Sequence, residues 1–89
     1  MNNQLSIEAL ETLINAVEKY QEELEENKNK LINASNICDQ AMGSDAISKK
    51  HIAALNNAIK ELEKTSKIAE NVAVALKDDL EHVRKILEN

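Results

Sequence analysis

Apolar residues recur along this chain at alternating steps of three and four, which is the spacing of one buried stripe on a helix. Starting at Leu10, the steps land on Leu10, Leu13, Val17, Tyr20, Leu24, Asn27, Leu31, Ala34, Cys38 and Ala41, and nine of these ten are apolar. Starting at Ile52, they land on Ile52, Leu55, Ile59, Leu62, Ser66, Ala69, Ala73, Leu76, Leu80, Val83 and Leu87, with ten of eleven apolar. A repeat averaging 3.5 residues keeps its stripe turned toward one neighbour as helices supercoil, so the pattern predicts two long helices. The expected bounds are helix 1 over about 6–41, a turn over about 42–44 and helix 2 over about 44–88, all in one domain.

The break falls at Gly43, the only glycine, which can take the left-handed conformation that closes a helix. Ser44 is the expected N-cap of the second helix, with Asp45 at its positive dipole end, and Ser6 is the matching candidate for the first, with Glu8 in its opening turn. A connection this short makes the helices antiparallel neighbours. Reflection about Gly43 brings together positions whose numbers total about 86 to 91. It sets Leu24 near Leu62, Leu31 near Leu55 and Leu13 near Ala73 and Leu76, with Lys28 and Glu63 as an expected ion pair.

The apolar stripe is broader than one hairpin can cover. Ala16, Ile37, Ala58, Val72 and Ile86 flank the seams, and Ile14, Ile32 and Ile68 lie further round. A hairpin alone leaves these in water, and a contiguous exposed apolar stripe marks an interface, so two hairpins are expected to pair as a four-helix bundle. The interface candidates are Ala16, Ile37, Ala58, Ile68, Val72 and Ile86. Asn27 and Ser66, the polar breaks in the two seams, are the candidates for fixing register and pairing specificity.

Composition supports an all-α class: the chain has no Pro, Phe or Trp and one Tyr, and strong helix formers dominate. Eighty-nine residues bury too little surface to enclose a large cavity. The net charge is −5, and it sits in the first half: residues 6–41 carry eight acids and three lysines, whereas residues 44–89 carry eight acids and eight bases. With no basic stripe and no stacking aromatics, the sequence argues against nucleic acid and anionic membrane surfaces. The longest apolar run, Val72 to Leu76, is far too short to span a bilayer. Met1-Asn2-Asn3-Gln4 does not read as the start of a signal peptide, so a cytoplasmic protein, or one leaving by a leaderless route, is expected.

Candidate chemistry is sparse. His51 and His82 are separated by more than about 40 Å along one helix, and Asp79 with His82 lacks the inward carboxylates that a di-metal bundle needs. Cys38 lies on the seam as a small apolar residue, with an intermolecular disulfide as the other reading. Glu22, Glu23, Glu25 and Glu26 read as a solvated face. No nucleophile-base pair, Gly-rich loop or metal cluster is present in the pattern, so neither an enzyme nor a cofactor is expected.

Two long antiparallel amphipathic helices around a tight turn, with Ala41-Met42-Gly43 at the turn and Ser44-Asp45-Ala46-Ile47 after it, resemble the WXG (ESAT-like) proteins of type VII secretion. These include the small helical partners of LXG toxins. The resemblance spans nearly the whole chain as architecture; Ala41 stands where the family has its Trp. The family's C-terminal export signal, an aromatic followed four residues later by an acid, has no counterpart, since Tyr20 is followed by Leu24. The resemblance implies a homodimer or heterodimer built as a four-helix bundle, and a helper that travels with or presents a partner carrying the signal, such as a helical domain of a secreted toxin. The periodicity alone equally serves a structural or regulatory coiled coil with no link to secretion.

Overall fold

In a computed structural model, the chain is a hairpin of two helices, α1 (Asn3–Met42) and α2 (Ala46–Glu88). The backbone is described over 3–42 and 45–88, and side-chain surroundings over 6–41 and 45–87. The expected turn residue Gly43 and the expected cap Ser44 lie outside the described residues, as does the side chain of Met42.

α1 begins three residues before Ser6, so Ser6 is a residue inside the helix and not its cap, and Glu8 falls beyond the first turn. The N-terminus of α2 is built by Asp45. Its carbonyl accepts the first helical hydrogen bond from the Lys49 N–H at 3.1 Å, and its Oδ1 accepts the Ser48 N–H at 2.8 Å. The Ser48 side chain also hydrogen-bonds to the carboxylate, which lets Ser48 be fully buried with its polar groups satisfied. Lys85 in the last turn complements the other end of the α2 dipole.

Hydrogen bonding from Ser48, first through its N–H and then through its side chain, holds the Asp45 carboxyl below its ordinary value, with the Ile47 N–H and His51 adding to the effect. A group whose folded pKa is depressed stabilises the fold above its unfolded pKa and loses that contribution as pH falls through the folded value. Asp45→Ala is therefore expected to lower the melting temperature at neutral pH. Asp45→Asn keeps a capping oxygen without the charge, and should flatten the acid limb of the melting-temperature profile relative to the native chain. Thermal circular-dichroism melts at several pH values measure both.

The chain divides into two compact units. One comprises Met1–Glu22 with Lys67–Asn89, and the other comprises Glu23–Ser66. In the first, Ile14 from α1 and Ala69, Ala73 and Leu80 from α2 are buried, with Leu10, Val17, Leu76 and Val83 half-buried around them. In the second, Leu24 and Ser48 are buried and Leu31, Ala34, Cys38, Ile52, Leu55, Ile59 and Leu62 are half-buried. Small residues such as Ala69 and Ala73 let the helices approach closely. With only two helices, however, most seam side chains keep one side open to solvent.

The α2 seam matches the expected stepping: of its eleven positions only Leu87 is exposed. The α1 seam is a correction. Leu10, Val17, Leu24, Leu31, Ala34 and Cys38 are buried or half-buried as expected, but Ile14, Gln21, Lys28 and Ser35 form the second row, while Leu13, Tyr20, Asn27 and Ala41 are exposed. Ile14, expected in water, is 6% exposed, and Leu13, expected in the core, is 51% exposed.

The physical reason lies in the polar members of the two competing rows. Burying Tyr20 and Asn27 desolvates a hydroxyl and an amide. Gln21 and Lys28 instead have stems that can lie along the seam while their heads stay in water. Lys28 does this, its ammonium pairing with Glu25 in its own helix at 3.3 Å. The expected Lys28–Glu63 pair is absent among the described residues, because an i,i+3 carboxylate is already at hand.

Among the described residues, the ion pairs that join the helices lie in the first unit: Lys77 to Glu18 at 3.1 Å and Arg84 to Glu11 at 3.0 Å. Their numbers total 95 in both cases, beyond the 86 to 91 that reflection gives. Long side chains bridge an axial offset of about one turn, which accounts for part of the difference. The remainder is register that the turn alone does not dictate. Both pairs are exposed, and each contributes at most about 1 kcal/mol.

Candidate assembly surface

The ion pairs also define which side of the hairpin is which. In the first unit Glu11 and Glu18 lie on one edge of the α1 seam, and Lys77 and Arg84 on the facing edge of α2. Helical spacing then puts Leu13, Ala16 and Tyr20 on the opposite edge of α1, and Val72 and Ile86 on the opposite edge of α2, with Ile68 one step further round. These six are exposed, Tyr20 at 48%, Ile68 at 64% and Ile86 at 57%. One edge of this unit is thus charged and cross-linked, while the other presents aliphatic and aromatic surface to water. The interface candidates Ala16, Ile68, Val72 and Ile86 meet here, joined by Leu13 and Tyr20, which the seam pattern assigns to the interior.

The second unit holds an open groove of about 610 Å³, lined by Asn27, Lys30 and Leu31 from α1 and by Ala58, Glu61, Leu62 and Thr65 from α2. Leu31, Ala58, Leu62 and Thr65 are half-buried along it, and Lys30 and Glu61 are its exposed charged rims. Thr65 donates its hydroxyl to the Glu61 carbonyl at 3.0 Å, so a covering surface need not supply an acceptor for it. Among the described residues the Glu61 carboxylate pairs only with Lys64, an exposed contact at 3.4 Å. Ile37, the remaining interface candidate, is 64% exposed on α1.

Asn27 takes a different place from the one expected of it. It is not a polar break within the seam but an exposed residue on the groove, whereas Ser66 is half-buried in the seam as expected. Asn27→Leu is accordingly expected to leave the stability of the isolated hairpin within about 0.5 kcal/mol, and to strengthen any association that covers the groove. Denaturant melts at low and high protein concentration separate the two effects.

Asp79 and His82 are both exposed, and among the described residues no three His, Cys, Asp or Glu side chains gather to hold a metal. Cys38 is half-buried. Neither helix is long and apolar enough to cross a membrane. Comparison of the chain with protein-family models, with curated proteins and with solved structures returns no match.

Proposed function

We propose that this chain is a non-enzymatic helical-hairpin adaptor, which dimerises through its exposed apolar edge and accompanies an effector exported by the leaderless type VII route. The observation that carries the assembly is the row of exposed Leu13, Tyr20, Ile68, Val72 and Ile86, together on one edge of a unit whose other edge is ion-paired. Surface of this kind is stabilised when it is removed from water, at about 25 cal/mol per Å². The secretion role is supported by the resemblance in architecture, with Ala41-Met42-Gly43 in the place of the family's turn motif.

The test is co-expression in the native host with the helical N-terminal domains of its exported toxins. Stoichiometric co-purification with one such domain, lost in an Ile68→Asp/Val72→Asp variant that remains helical, is the expected result. A chain that self-associates but retains none of these domains overturns the secretion role, and describes a structural coiled coil instead.

A further inference from the structure

The groove of the second unit is lined by a lysine from α1, Lys30, and a glutamate from α2, Glu61, on either side of the apolar Leu31, Ala58 and Leu62. We propose that its occupant is the same groove of a second copy, related by a two-fold axis running parallel to the helices, so that Lys30 of each copy meets Glu61 of the other. This rests on the assembly reading above and names both the partner and its orientation.

Two arrangements allow a pair of hairpins to cover each other's grooves face to face. If the two-fold axis runs across the helices, α1 lies on α1, setting Lys30 against Lys30 and Glu61 against Glu61. If the axis runs along the helices, α1 lies on α2, and both charges meet their opposites at once. Like charges brought together in a partly dehydrated interface are strongly disfavoured, so the charge pattern selects the second arrangement. Its helices alternate in direction around the bundle. Glu61 is free to enter such a pair because its local bond to Lys64 is an exposed one of small worth.

The chain as a whole leaves enough surface accessible to supply an interface of ordinary size. The chain leaves 6621 Å² accessible, where size scaling for a compact monomer of 9.9 kDa gives about 5,200 Å². The surplus of roughly 1,400 Å² exceeds the ~800 Å² per partner that a standard stable interface hides.

Lys30→Glu and Glu61→Lys, singly and together, test this in the full chain, with helicity checked by circular dichroism and dimer dissociation measured by sedimentation equilibrium. Each single variant is expected to dissociate about tenfold more readily, and the double variant to return to the native value. An equimolar mixture of the two single variants, one of them isotopically labelled, should give mostly heterodimer by native mass spectrometry. Single variants that dimerise as tightly as the native chain overturn the arrangement. A native chain that is monomeric at about 100 μM overturns the second copy as occupant, while the adaptor reading then stands or falls on its own co-purification result.

Discussion

Ile14→Ala is expected to destabilise the hairpin by about 2 kcal/mol or more at every protein concentration, whereas Leu13→Ala should cost less than about 0.5 kcal/mol in the dilute chain. The two residues are neighbours in sequence and nearly equal in hydrophobicity. What separates them is 6% against 51% exposure, which side of α1 each occupies. Truncating Ile14 removes methyl groups from the packed side of a unit whose other buried apolar members are Ala69, Ala73 and Leu80, and a core this thin has little to collapse into the space. In a domain of this size the loss corresponds to roughly 10 °C in melting temperature.

Leu13→Ala should instead show itself as weaker association, growing with protein concentration, because its side chain lies on the edge available to a partner. Chemical denaturation of both variants over a hundredfold concentration range decides the phase of the seam. A larger concentration-independent loss at Leu13 than at Ile14 would reverse it.

The contrast shows how much of the fold is legible in the sequence. The α2 seam can be read directly, because Ile52, Leu55, Ile59, Leu62, Ala69, Ala73, Leu76, Leu80 and Val83 form two adjacent rows with charged or polar residues crowding one flank. α1 cannot be read so simply. Its apolar residues occupy three rows, and counting favours the row of Leu13, Tyr20, Ala34 and Ala41 over that of Ile14, Gln21, Lys28 and Ser35. Counting treats Tyr20 as apolar and Lys28 as charged along its whole length, although the first has a hydroxyl to keep wet and the second has four methylenes to bury.

A signal for the correct phase is present in the spacing. Glu11 and Glu18 are seven apart, as are Lys77 and Arg84, and antiparallel helices that match one pair match the other. The α2 cap is equally available as Asp45-x-x-Ser48. Residue type alone does not single it out, and the backbone bonds from Lys49 and Ser48 show Asp45 in that role. The breadth of the α1 stripe is also the reason that the candidate surface is legible before its full membership. A helix with three apolar rows and one helical neighbour must leave one row outside.

Which row stays outside then determines the second large effect. Val72→Asp is expected to weaken assembly by at least about a hundredfold while leaving the hairpin helical, and Val74→Asp to leave assembly within about threefold of native. Both valines are exposed on α2 and lie in the same unit, at 43% and 54% respectively, so exposure alone would make Val74 the more promising contact. They flank the buried Ala73 on opposite sides. Val72 shares the edge of Ile86 and Ile68, while Val74 turns toward the side on which Lys77 and Arg84 meet Glu18 and Glu11. A carboxylate at 72 would have to lose its water against apolar surface, once in each copy of the proposed symmetric pair. At 74 it stays hydrated beside basic groups. Sedimentation equilibrium on the two variants, with helicity monitored in parallel, measures the difference. Equal losses at both positions would mean that assembly draws on exposed aliphatic surface without regard to edge, and would remove the two-sided character on which the adaptor reading is built.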